Sequence, residues 1–559
     1  MYCRTLRTVL SVIVLLLVAV AAPGPVAARE PDGGRTQAQV VVSCPIKPAG
    51  SADTYNTTIT VTSGTDPDDS KSKTCVSEPV CTLRRAIVQS RGLSAGELPA
   101  LINFNIPATP AEGYDATLQV WEIQVDNTTD LNAFRYLTGQ VTIDGSTQPG
   151  GRSEGPKIIL MGPGTGQKTG LNLGENQTQG ENVVRGLGMQ NFGPHINVNS
   201  DNNTIENCWF GLSSDGTTLT SGDDSDPEDG TGVALQSTAD QNTIRNNRFA
   251  GFFGASVAIR GGQNVFTGNW VGPRADGTVP IPPQFDKHPC MGSTWAGGSG
   301  ITVSGDNHQI GGPNPSDGNH FAGLYLDIFA ESEQPFAIQM AGSDDENLIQ
   351  NNIIGVDGAD SPVGICGRGI KLSGGNQDTQ VISNTLVETG LSAILMNDSP
   401  VTDRLNGNTL RGNVIKRESS WPTEQGDNNF PEGAIAYSSG VPEPLQSFAP
   451  ARITGINGVS VSGTSGIGSP CPSCIVEVFL DDLDSVVEAH QSLAVATADG
   501  SGNWSGTLPA PLAEGQGLRT MSTVPSDWTI PGLDAGTTSN LSSLYGGYSV
   551  YLPVTCKGS

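Results

Sequence analysis

Polar and apolar positions recur in one nine-residue phrase along the middle of the chain. It reads Asn-Thr-Ile-Glu-Asn-Cys-Trp-Phe-Gly from Asn203 and Asn-Thr-Ile-Arg-Asn-Asn-Arg-Phe-Ala from Asn242. It returns as Asn-Val-Phe-Thr-Gly-Asn-Trp-Val-Gly from Asn264 and Asn-Leu-Ile-Gln-Asn-Asn-Ile-Ile-Gly from Asn347. Looser copies begin at Asn182, Thr379 and Asp403, and the shortest spacings are 21, 22 and 24 residues. The third and eighth places are apolar (Ile205 and Phe210, Ile349 and Ile354), with a polar, Asn-containing turn between them. Strand side chains alternate between two faces, and Asn tolerates left-handed backbone while bonding nearby amides. The pattern therefore predicts short strands wound into stacked coils, a right-handed parallel β-helix. Stacking builds the core, because no single coil can bury its own apolar face. The turn asparagines should align into a ladder, each amide donating to the next.

The flanks read differently. Ile59 and Val61 alternate with Thr as a strand does. Leu83, Ala86 and Ile87 share one helical face behind Thr82, a suitable N-cap, so a helix is expected to about Ser90. Leu101 to Ile106 and Val141 to Ile143 read as strands. Beyond about residue 449, alternating runs at Val459–Gly463, Ile475–Leu480, Ala494–Asp499 and Asn503–Leu508 are separated by turn residues and predict a small β-sandwich. A last strand or tail follows near Val550–Val554.

The start of the chain reads as a signal for export. Arg4 and Arg7 precede an apolar run from Val9 to Ala22, and Val26-Ala27-Ala28 offers small residues for cleavage. The expected organisation is a signal peptide over 1–28, a leader over 29–50, a cap with the first coils over 51–150, the β-helix over 151–448, and the β-sandwich with its tail over 449–559. No later segment is long and apolar enough to cross a bilayer, so the mature chain should be secreted or held at the cell surface. Of 559 residues only 15% are charged, and 72 are Gly. The net charge of −27 opposes binding to nucleic acid or anionic lipid. Export permits disulfides among the ten cysteines. Cys75–Cys81, Cys471–Cys474 and Cys290–Cys366 are the expected pairs.

Several residues place this chain beside a known family. Cys81-Thr82-Leu83-Arg84-Arg85-Ala86-Ile87 resembles the CSLREA motif of exported bacterial β-helix proteins, with Thr82 for Ser and Arg85 for Glu. Ile143-Asp144-Gly145-Ser146-Thr147-Gln148-Pro149-Gly150 resembles that family's IDGTTQPG phrase. Phe210-Gly211 with Asp215-Gly216-Thr217, and Val271-Gly272 with Asp276-Gly277-Thr278, resemble its repeated IGTDxxGT. The resemblance covers about residues 50–440 and implies a pectin-lyase-like all-β solenoid. Its front motif caps the first coil against edge-to-edge association. The C-terminal strands resemble the bacterial Ig-like modules fused to such solenoids.

Candidate chemistry follows from the fold class. Pectin-hydrolysing β-helices combine Asp residues with Gly-His-Gly and Arg-Ile-Lys. Here Asp344 and Asp345 precede Arg368-Gly369-Ile370-Lys371, one residue too long, and Gly-His-Gly is absent. His288 beside Lys287 and Asp286 is a second acid–base candidate. Trp209 and Trp270 hold the same place in the repeat and should face outward. With Trp295 and Trp421 in two insertions, they offer surfaces for stacking on sugar rings. A further insertion carries Asp223, Asp224, Asp226, Glu228 and Asp229, oxygen ligands of the kind Ca²⁺ takes. The leading expectation is a non-catalytic exported surface protein that binds glycan or supports adhesion. The alternatives are a polysaccharide lyase or glycoside hydrolase and a structural spacer.

Overall fold

The computed structural model describes residues 54–66, 72–125, 132–164, 168–217, 230–252, 254–279, 298–325, 335–342, 344–397, 405–417, 433–438, 441, 443–466, 471–484, 486–525 and 533–546. Asp223, Asp224, Asp226, Glu228, Asp229, His288, Cys290, Trp295 and Trp421 lie outside the described residues.

The repeated phrase winds into three parallel sheets. One coil runs from Thr204–Glu206 in the first sheet to Trp209–Phe210 in the second, then to Val233–Leu235 in the third, before Thr243–Arg245 returns to the first. The described strands number eleven, eleven and nine in the three sheets, and each sheet is ordered by successive coils. This is the stacked order of a parallel β-helix, as the repeat predicted. Register fixes the core. Ile205 pairs with Ile244, Ile244 with Phe266, Phe266 with Ile310, and Ile310 with Ile349. All five are buried in one interior column. A second column carries Phe210, Phe249, Val271, Phe321 and Ile354, the phrase's eighth residue in every coil but that of Phe321, where the turn is longer.

Asparagine ladders run along two corners. Between the first and second sheets, Asn247, Asn269, Asn319, Asn352, Asn384 and Asn413 each pass an amide hydrogen bond to the next at 2.9–3.1 Å. Each rung also donates to a strand carbonyl, as Asn319 does to Phe266 O at 2.8 Å. Between the third and first sheets, Asn182, Asn203, Asn242 and Asn264 form a second ladder at 2.8–3.2 Å. His308 replaces Asn as its next rung. Its Nδ1 accepts from Asn264 N at 3.1 Å while Nε2 faces Ser304 O at 3.2 Å, which fixes the neutral tautomer with the proton on Nε2. Asn347 and Thr379 continue the line, and the last copy has its rung at Asn408 rather than Asp403, which lies outside the described residues.

Both ends of the helix are covered. The expected helix forms over Leu83–Ser90, with Thr82 Oγ1 accepting from Arg85 N at 3.4 Å. Leu83, Ala86 and Ile87 are buried against the first strands. Arg85 donates to Val80 O at 2.6 Å. It thereby holds the loop that the Cys75–Cys81 disulfide closes. At the other end, two antiparallel three-stranded sheets pack face to face through Ile453, Val461, Trp504, Val476, Val478 and Leu518. The Cys471–Cys474 disulfide lies in this module. The module docks on the last coil: Ile415 and Ala489 exchange backbone hydrogen bonds at 2.9 and 3.0 Å, and Leu410 N donates to Thr538 Oγ1 at 3.0 Å. Cys366 is disulfide-bonded, and Cys290, its expected partner, is beyond the described residues.

Candidate functional site

The residue just before each rung of the ladder between the third and first sheets is held in left-handed backbone. Eight of these residues are not glycine (Gln140, Glu181, Asn202, Gln241, Gln263, Asn307, Glu346 and Asp378), with φ between 52° and 61°; the ninth, before Asn408, is Gly407 with φ 74°. All eight are exposed, and all carry an amide or a carboxylate. Glycine reaches this conformation without steric cost, and five of the eight are the long Gln or Glu. The row forms a polar rail along the corner. Neighbours touch along it: Gln140 Nε2 donates to Glu181 Oε2 at 3.1 Å, and Gln241 Nε2 to Gln263 Oε1 at 2.9 Å.

A row of aspartates lies beside the rail. Asp201 Oδ1 accepts from Asp240 N at 2.9 Å, Asp240 Oδ1 from Gly262 N at 2.8 Å, and Asp306 Oδ1 from Asp345 N at 2.9 Å. Each carboxylate thus ties its own coil to the next. Near the capped end the corner opens into a cleft of ≈ 440 Å³, lined by Gln140, Gln177, Thr178, Glu181, Asp201 and Asn202 together with Ala95 and Leu98. Gly180 shapes its floor, because a Cβ there would lie 1.8 Å from Asp201 O. The cleft holds two carboxylates, three primary amides and the hydroxyls of Thr138 and Thr178. Amides both donate and accept, so this surface suits a ligand rich in hydroxyl groups.

The structure places Asp344 and Asp345 on this same corner. Asp345 belongs to the aspartate row and is half-buried. Asp344 is 6% exposed, and its Oδ2 is buried without a hydrogen-bond partner. Burial, with Asp306 and Asp345 nearby, pushes its carboxyl up to about 6. Lys371 sits elsewhere: it pairs with Gln339 and Leu395 in the third sheet and shares that sheet's outer face. The repeat pattern read from the sequence did not include the rail, although its signal was legible as an amide or acid immediately before every rung residue but the last, Asn408.

Trp209 and Trp270 do face outward, on the second sheet, in one register row with Arg248 and His320. Their rings are engaged by the protein. Arg248 lies over Trp270 at 5.0 Å, and His320 from the following coil stacks on it at 4.1 Å with the planes 2° apart. Arg152 lies over Trp209 at 4.6 Å. The Asp-Gly-Thr turns explain the rest of the cover. Asp215 Oδ1 accepts from Thr217 N at 2.9 Å, and the turn sets Gly216 so that a Cβ would meet the Trp209 ring at 2.9 Å. Burial lowers the pKa of Arg152 and Arg248, with Asp215 and Asp276 opposing it. The expected sugar-stacking faces are therefore occupied by cations, imidazole and turns.

Among the described residues, two groups could hold a cation, and both are in the C-terminal module: Asp481, Glu488 and His490, and Asp482, Asp484 and Glu488. No helix among the described residues is long and apolar enough to cross a membrane.

No protein-family model and no curated protein matches the chain. Among solved structures, the chain is similar to a glycoside hydrolase at 11% identity, over 54% of this chain and 52% of that one, with a TM-score of 0.22. It thus spans about half the length of that hydrolase. It is also similar to an alginate lyase from Paenibacillus sp. str. FPU-7 (13% identity, 69% and 99% covered, TM-score 0.25) and to the Dettilon tailspike protein (10% identity, 79% and 86% covered, TM-score 0.31). Likenesses of this size carry no argument about activity.

Proposed function

We propose that this is an exported surface protein that binds a linear, uncharged, hydroxyl-rich glycan along the corner between the third and first sheets. One observation carries the reading: eight exposed amide and acid side chains stand at positions whose left-handed backbone favours glycine. Such a conformation costs on the order of 1 kcal/mol or more at each non-glycine residue. A side chain kept at that cost, and repeated coil after coil, points to use of the side chain. Adjacent strands lie about 4.8 Å apart, so the rail repeats on the scale of a single sugar ring. The net charge of −27 and the rail's own acids repel uronate polymers, which favours a neutral chain.

Export rests on the basic, apolar and small-residue pattern of residues 1–28. The resemblance of residues 50–440 to CSLREA-type proteins, and of the C-terminal sheets to Ig-like modules, belongs to the same reading.

A second reading rests on the cleft, where Glu181 and Asp201 line one cavity. Two carboxylates flanking a bound chain are the minimum for glycoside cleavage. A panel of soluble neutral glucans, mannans and xylans, set against pectin and alginate, separates the two. Affinity electrophoresis of the full chain should show retardation by a neutral polymer, with no release of reducing or unsaturated ends. Retardation by the anionic polymers alone would overturn the binding proposal. Ends released by the intact chain but not by the Glu181→Gln chain would establish the enzymatic reading.

A further inference from the structure

At the junction of the C-terminal module with the last coil, three side chains converge. Asp481 is the penultimate residue of strand Ile475–Asp482, and the chain returns through Glu488, Ala489 and His490 into strand Gln491–Thr497. One ligand atom each from Asp481, Glu488 and His490 lie within 4.8 Å of one another. Asp481 is fully buried: Arg519 Nε holds its Oδ2, while Oδ1 is buried with no hydrogen-bond partner. Glu488 is 2% exposed, with Oε1 accepting from Arg417 N and Oε2 meeting His490 Nε2 at 2.5 Å. Asp482 and Asp484 stand on the outer side of the same group. Four carboxylates thus gather here, with the Arg519 guanidinium and the His490 imidazole against them.

A fully buried carboxylate oxygen without a donor calls for an ion or a water. We propose that Asp481, Glu488 and His490 form a site for a divalent metal of the Zn²⁺ class, which fastens the C-terminal module to the open end of the β-helix. The imidazole selects the metal. Ca²⁺ takes oxygen ligands, whereas imidazole suits Zn²⁺ and its transition-metal neighbours. Zn–N and Zn–O bonds of about 2.1 Å set tetrahedral ligands about 3.4 Å apart. The His490–Glu488 pair therefore opens by roughly 1 Å to admit the ion, and the partly exposed His490 ring, at 27%, has room to move. Arg519 then acts as an outer partner that orients Asp481. The linkage is mechanical: Asp481 belongs to the module's sheet, and Glu488 is bonded to Arg417, which follows the last strand of the second sheet. Residues beside both pair across the junction, Ala489 with Ile415.

The test uses the tag-free full chain, stripped with chelator and dialysed against Zn²⁺ alone or Ca²⁺ alone. One Zn²⁺ per chain is expected at concentrations where Ca²⁺ is not retained, together with a higher melting temperature and slower amide exchange at Ala489. His490→Gln and Glu488→Gln should each weaken Zn²⁺ binding at least tenfold. A second arm needs no variant: Co²⁺ added to the stripped wild-type chain should give the visible bands of a low-coordinate nitrogen-ligated ion and be displaced by Zn²⁺. Absence of those bands, or Zn²⁺ affinity unchanged in both variants, would overturn the proposal.

Discussion

Two corners of the same helix solve one backbone problem with different side chains. Gly318, before Asn319, is extended, with φ −61°, but in most coils both corners turn through a left-handed residue just before the ladder position. Between the first and second sheets that residue is Gly186, Asn207, Asn246, Gly268, Asn351, Ser383 or Gly412. Glycine and asparagine are the residues that enter this conformation most readily, so this corner follows backbone economy alone. Between the third and first sheets, Gln and Glu occupy five of nine equivalent positions and glycine only one, Gly407, and all eight side chains are exposed. Both corners carry hydrogen-bonded ladders, with His308 and Thr379 as the rungs that are not Asn on the second, so the backbone alone does not call for the difference. The contrast is the observation on which the proposed binding rail rests.

The comparison breaks most visibly at the shared ladder. Asn319 accepts from Asn269 N and Nδ2 and donates to Phe266 O and Asn352 Oδ1. Replacing it with Ala strands several buried groups, so Asn319→Ala should lose about 4 kcal/mol in chemical denaturation.

The remaining corner, between the second and third sheets, supplies the next effect. His195 is fully buried among Phe192, Phe210 and Phe252, and burial lowers its pKa to about 4. A lowered pKa means that the folded state binds the proton less readily than the unfolded chain. The associated stability is fully present above about pH 6.5 and is lost as the pH falls through 4, on the order of 3 kcal/mol in all. His308, whose pKa burial also lowers, acts in the same direction. His195→Phe should flatten the acid limb of a stability–pH curve; an unchanged slope between pH 6.5 and 4 would contradict this assignment.

Trp270 separates packing from recognition. Its ring is sandwiched by Arg248 and His320, so Trp270→Ala should cost about 2 kcal/mol while glycan affinity stays within twofold. A selective loss of affinity in calorimetry would return the binding surface to the second sheet.

The smallest stability effect has the opposite sign. Gln263→Gly removes an exposed side chain from a left-handed position (φ 57°). It should raise stability slightly, by up to about 1 kcal/mol, and a thermal melt resolves the sign.

Much of the fold was legible in the sequence because burial imposes a period. Ile205, Ile244, Phe266 and Ile349 had to recur for coils to stack, and the asparagines had to recur to satisfy corner backbone. The helix at Leu83 was readable from Thr82 and a three-residue apolar face. The site was harder to read. Alternation correctly turned Trp209 and Trp270 outward, yet it says nothing of what covers an outward ring. Arg152 reaches Trp209 from a different coil, and Gly216 approaches it through a turn. The hydrogen bond of Glu488 to Arg417, and the docking of the module on the last coil, depend on contacts between distant segments, which no local pattern encodes. The rail was written in the sequence as plainly as the ladder. Its meaning depends on knowing that the backbone there is left-handed.

The most direct test substitutes three rail residues of the cleft together, as Gln140→Gly, Glu181→Gly and Asn202→Gly, and measures melting temperature and glycan affinity on the same preparation. The account predicts a melting temperature equal to or above that of the wild-type chain, with affinity for the neutral polymer reduced at least tenfold. Retained affinity in a chain that melts normally would show that these side chains are surface without a ligand, and the proposed binding rail would have to be abandoned.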